Sequence, residues 1–133
     1  MEQAIQELRK LLEKCWDETT IWHKGEFDPN RISAGQCYVT SLVLYDIFGG
    51  DLVAAEILSK GEYLAHYWFK LPNGNEFDLT SDQFGGDGLH RLPDEVIFGQ
   101  WTVWKPYNMR NRRYLKLKQK IIREFFRNVY KQD

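Results

Sequence analysis

Three side chains, taken in chain order, are the parts of a cysteine nucleophile system. They are Cys37 in Ser33-Ala34-Gly35-Gln36-Cys37, His66 in Ala65-His66-Tyr67-Trp68, and Asp78 in Glu76-Phe77-Asp78-Leu79-Thr80. A thiolate attacks a carbonyl carbon, an imidazole takes and returns the proton, and a carboxylate orients the imidazole and stabilises its charged form. The chemistry this implies is acyl transfer from a peptide or small-molecule amide, ester or isopeptide, with water or an amine as acceptor. It requires no cofactor. The same three residues are all metal-ligand types, but metal sites usually carry closer pairs such as His-x-x-x-His or Cys-x-x-Cys, and the sequence has none.

Such a reaction also needs donors aimed at the developing oxyanion. The Cys37 backbone N–H is one candidate, because first-turn amides have no helical partner. The side chains of Gln36 and Asn30 and the Trp22 indole are all candidates for the second, and the residues do not choose among them. Trp68 would wall the site and exclude water. His23 is a reserve base, and His90 stands in no partner pattern.

The elements that must position these residues follow from periodicity. Residues 2–16 place Ala4, Ile5, Leu8, Leu11, Leu12, Cys15 and Trp16 on one helical stripe, which reads Cys15 as a small core residue. Residues 17–32 read as an irregular connection. Ser33 and Gln36 match a capping box that starts a helix just before Cys37 and runs to Gly49-Gly50. In its first turn the helix dipole favours thiolate over thiol.

Strands are expected over 51–58, 62–71 and 96–104. The hairpin at Pro72-Asn73-Gly74 decides whether the triad can form. A two-residue turn would pair Phe69 with Asp78 and put Asp78 on the face opposite His66. A three-residue loop, with proline first in a type I turn and glycine in the left-handed position, pairs Trp68 with Asp78 and puts His66 and Asp78 on one face. Proline's preference for the first turn position favours the second register. Ala65, Tyr67, Phe69, Leu71, Phe77 and Leu79 then form an apolar core face. The Cys37 helix is expected to cover the other face, with His66, Trp68, Asp78 and Thr80. Residues 81–93, with Gly85, Gly86 and Gly88, read as a mobile loop, and about 111–130 as a long amphipathic helix.

Composition sets the frame. The chain has 133 residues, 43% of them hydrophobic and 15% aromatic, which suits one packed domain rather than a disordered chain. The net charge of −1 hides an asymmetry: from Lys105 onward ten Lys/Arg face two Asp/Glu, a net +8, while residues 1–104 carry −9. A basic helix can meet nucleic acid or an anionic membrane. Its aromatic residues, however, lie on the apolar side rather than among the charges, which argues for a solvated face instead. Two cysteines make no disulfide framework, the acidic amphipathic N-terminus is no signal peptide, and no apolar run approaches a membrane span. A reducing cytoplasm is the expected setting.

The order Cys, His, Asp on helix, strand and adjacent strand resembles the core of papain-like and transglutaminase-like proteins. His66-x-Trp68 beside Asp78-x-Thr80 is especially similar to the transglutaminase-like pattern. More closely, Gly35-Gln36-Cys37-x-x-Thr40, Phe48-Gly49-Gly50, His66-Tyr67-Trp68 and Asp78-Leu79-Thr80-x-x-Gln83-Phe84 resemble the YunG-like family of small bacterial proteins, over about residues 20–84. That family has no assigned reaction, so the resemblance implies a fold more than a chemistry. The chain departs from its pattern at Phe69, where a polar residue is usual, and in its long basic C-terminal helix.

The expectation is therefore a single α+β domain over 1–133, with a papain/transglutaminase-like core at about 20–104. A central antiparallel sheet carries the Cys37 helix, and N- and C-terminal helices flank it. Against the enzyme stand a non-catalytic binding module on the same fold and an electrostatic adaptor acting through the C-terminal helix.

Overall fold

A computed structural model describes residues 1–21 and 28–131. Helices α1 (Glu2–Glu13), α2 (Cys37–Phe48) and α3 (Arg112–Lys131) accompany strands β1 (Asp51–Ser59), β2 (Glu62–Lys70), β3 (Glu76–Phe77) and β4 (Ile97–Val103). The fold is α+β, with one sheet in the order β3-β2-β1-β4 and every neighbouring pair antiparallel. Among the described residues no helix is long and apolar enough to cross a membrane.

The hairpin takes the three-residue register. Phe69 pairs with Phe77 and Lys70 with Glu76, so Trp68 stands level with Asp78. The Gly74 N–H donates to the Leu71 carbonyl and the Leu71 N–H to the Asn75 carbonyl. Gly74 sits at φ +94°, a left-handed conformation that favours glycine. β3 stops after two residues, so β2 from Glu62 to Trp68 pairs only with β1.

α2 is apolar nearly all round, with Tyr38 to Leu44 all buried, as a helix enclosed on several sides must be. It packs on the Tyr67 and Phe69 face of the sheet. The Tyr38 ring meets Tyr67 edge-on at 5.1 Å, Phe48 lies 6.1 Å from Phe69, and Leu42, Leu52, Phe69, Phe77 and Leu79 share one core with Ile5, Leu12, Tyr114 and Leu117. This corrects the expectation that the helix covers the His66 face: the larger apolar area lies on the other side. The His66 face carries a smaller cluster of Val53, Ala55 and Trp68.

Two further expectations are corrected. The Ser33–Gln36 capping box does not form; Gln36 is itself the N-cap residue and makes no side-chain capping bond. The glycine-rich segment after Asp78 is tied down rather than free. Arg9 binds the Asp82 carboxylate at 3.0 Å and reaches the Leu79 carbonyl, and Ser81 Oγ accepts the Gly88 N–H. The expected long C-terminal helix forms: α3 buries Tyr114 and Leu117 but leaves Ile122, Phe125, Phe126 and Val129 exposed. At 1.5 Å per residue, its 20 residues outrun the 12-residue helices α1 and α2 beside it.

Candidate functional site

His66 and Asp78 meet where the hairpin register puts them. Both side chains are buried, and His66 Nε2 lies 2.6 Å from Asp78 Oδ2. The other carboxylate oxygen accepts from the Thr80 N–H at 3.2 Å and the Thr80 hydroxyl at 3.3 Å. The Asp-x-Thr spacing thus fixes the carboxylate before it fixes the imidazole. Phe84 stands edge-on to the His66 ring at 4.9 Å, and the Trp68 ring lies 6.1 Å from it. Trp68 is held in turn by its indole N–H donating to Glu76 at 2.9 Å.

The Cys37 thiol interacts with the same imidazole. Burial disfavours the imidazolium, but Asp78, by charge and hydrogen bond, and then Cys37 outweigh it and raise His66 to about 10. With Nε2 committed to Asp78, His66 Nδ1 is buried and makes no hydrogen bond of normal geometry among the described residues. It is the nitrogen left for a proton shared with sulfur. Cys37 opens α2 and is half-buried.

The structure thus brings Cys37, His66, Asp78 and Trp68 together. It does not bring in Gln36, whose buried amide accepts from the Thr20 hydroxyl at 2.7 Å and donates to the Asp17 carbonyl at 3.1 Å. Asn30 is exposed in the turn after Asp28. Trp22 and His23 lie outside the described residues. His90 is exposed and bonded to Asp87 and Glu2 rather than to any triad member. Among the described residues no group of three or more His, Cys, Asp or Glu is arranged to hold a metal ion.

Sequence reasoning missed three neighbours. Tyr67, assigned only to the core face, is half-buried; burial raises its pKa, and the adjacent Cys37 adds to the rise. Gln83 and Phe84 belong to the 3₁₀ turn Ser81–Phe84, which folds back on the site directly after Asp-x-Thr. The signal for them was the string Asp78-Leu79-Thr80-x-x-Gln83-Phe84, whose turn geometry the periodicity does not reveal.

The family model described as YunG protein matches residues 4–126. The chain belongs to the YunG family. The match extends well beyond residues 20–84, taking in α1 and most of α3, so the basic helix is part of what the YunG family model describes. No curated protein and no solved structure matches the chain.

Proposed function

We propose that this YunG-family chain is a thiol-dependent acyl-transfer enzyme with a papain/transglutaminase-like arrangement of Cys37, His66 and Asp78. The observation that carries the reading is the buried 2.6 Å His66–Asp78 pair, with Nδ1 left free beside a thiol in the first turn of α2. An imidazole so strongly biased toward its charged form keeps the proton and leaves a thiolate to attack a peptide or small-molecule acyl carbon. It then returns the proton to the leaving group. Asp78 orients the ring and stabilises the imidazolium. Both cysteines are free, which suits a reducing, cytoplasmic setting.

The test is the pH dependence of Cys37 alkylation by iodoacetamide in a Cys15→Ala background, with and without His66→Ala. Fast alkylation below pH 7 that drops about 10²-fold without His66 is expected from losing a positioned acid–base partner. An identical profile in both proteins would make the cleft a non-catalytic binding site instead.

A second reading concerns α3 alone. Its unburied Ile122, Phe125, Phe126 and Val129 adjoin a basic face of Lys116, Arg123 and Arg127, the make-up of a helix lying in an anionic membrane surface. Salt-sensitive co-sedimentation with phosphatidylserine vesicles supports it; no binding at low salt removes it.

A further inference from the structure

We propose that Gln83 completes the oxyanion hole of this site. Its side-chain amide donates, beside the Cys37 backbone N–H, to the oxygen of the acyl group under attack. The inference rests on the acyl-transfer reading above.

Gln83 is fixed on each flank. Its carbonyl accepts from Arg31 at 2.9 Å, and the next residue, Phe84, packs on the His66 ring. Its Oε1 accepts the N–H of Gly35 at 3.4 Å. Gly35 lies two residues before the thiol, in a left-handed conformation at φ +77° that turns the chain into α2. Oxygen and nitrogen of an amide share one carbon, so anchoring Oε1 there holds Nε2 at the N-terminus of the same helix. Yet Nε2 is buried and bonds nothing among the described residues. A buried donor without an acceptor costs about 1–3 kcal/mol, and native structures rarely keep one without a use.

The reaction supplies the missing acceptor. As the sulfur–carbon bond forms, the carbonyl π electrons move onto oxygen, and that negative oxygen sits between the Cys37 N–H and Gln83 Nε2. On collapse the carbonyl re-forms and the bond to the leaving group breaks. The leaving group departs with the proton held by His66. The rival Gln36 amide is already committed to Thr20 and Asp17.

Two reactions of one thiol separate this role from a structural one. Alkylation by iodoacetamide displaces iodide and builds no oxyanion, whereas acylation by p-nitrophenyl acetate does. In Cys15→Ala protein, the ratio of the p-nitrophenolate burst rate to the alkylation rate is compared among Gln83, Gln83→Ala and Gln83→Glu. Glutamate keeps an acceptor for Gly35 while removing the donor. Both variants are expected to lower the ratio about 10²-fold, as loss of an oxyanion donor does. An unchanged ratio, or both rates falling together, overturns the role of Gln83 alone. A Gln83 protein that alkylates but is never acylated overturns the acyl-transfer reading, and this inference with it.

Discussion

The two thiols of this chain stand in opposite surroundings. Cys15 follows α1 in a turn and is 1% exposed in the main core. Burial, and then the charge of Glu124, push it up to about 11. Cys37 begins a helix, is half-buried, and faces an imidazole that a buried carboxylate holds in place. Residue type is the same in both; what differs is how much compensation the surroundings offer the thiolate for leaving water. At Cys15 Lys120 and Lys14 offer some, but burial and the Glu124 carboxylate outweigh them. At Cys37 the first turn of α2 and the His66 imidazole stand beside the sulfur, and the proposed nucleophile role rests on them.

The largest expected effect follows directly. At pH 7, iodoacetamide should modify Cys37 at least about 10³ times faster than Cys15, since the thiolate is the reactive form. Cys37→Ala should leave a folded protein with no fast site. Peptide mapping by mass spectrometry reads both rates, and in denaturing urea they should converge. Comparable rates in the native protein would abolish the contrast.

Next in size is the pair behind Cys37. His66→Ala strands the Asp78 carboxylate in the interior, which should cost about 3–5 kcal/mol near pH 6, the usual penalty for breaking a buried pair. The pH dependence has a definite sign. A folded-state value raised from 6.5 to about 10 stabilises the native state fully below the unfolded value and progressively less above it. The contribution is lost as pH rises through about 10. The gap between the original protein and His66→Ala in urea denaturation should therefore be widest at pH 6 and narrow toward pH 10. A gap that is constant or widens with pH contradicts the charged pair.

A smaller effect tests how Asp78 itself is held. Thr80→Val removes the hydroxyl bond to Asp78 Oδ1 but leaves the backbone one. The loss of about 1 kcal/mol expected for one such bond should slow Cys37 alkylation at pH 6 by about fivefold. Cys15 should be unaffected; an equal slowing of both thiols would indicate general disruption.

Much of this contrast was legible before the fold. The apolar stripe marked Cys15 as core, and the Pro72-Asn73-Gly74 loop fixed the register that joins His66 to Asp78, because turn chemistry and strand alternation are local rules. The face covered by α2 was not legible. Alternation identifies two faces of a strand but not which one a helix chooses, and that depended on the summed area of Phe69, Leu71, Phe77 and Leu79. Nor was Gln36, whose spacing from Ser33 matched a cap while its amide went to Thr20 and Asp17. Gln83 was hidden for a related reason: a 3₁₀ turn of four residues carries no periodicity to read. The unburied flank of α3 was missed because a helical pattern reports where apolar residues lie, not how far the neighbouring helices extend.

The smallest expected effect asks why Cys15 is quiet. Three causes act in the same direction, burial, the Glu124 carboxylate on α3 and Asp17, against Lys120 and Lys14, and burial is the largest. Glu124→Gln removes the charge and keeps the shape. Glu124 is already paired with Arg127 at 2.6 Å, so part of its field is cancelled, and a partly solvated charge is worth on the order of 1 kcal/mol at most. Cys15 alkylation should therefore speed up by no more than about fivefold, leaving it far slower than Cys37. A much larger gain, measured by the same peptide mapping, would mean that charge rather than burial silences Cys15. The two thiols would then differ through which charges face them, and not through access to water.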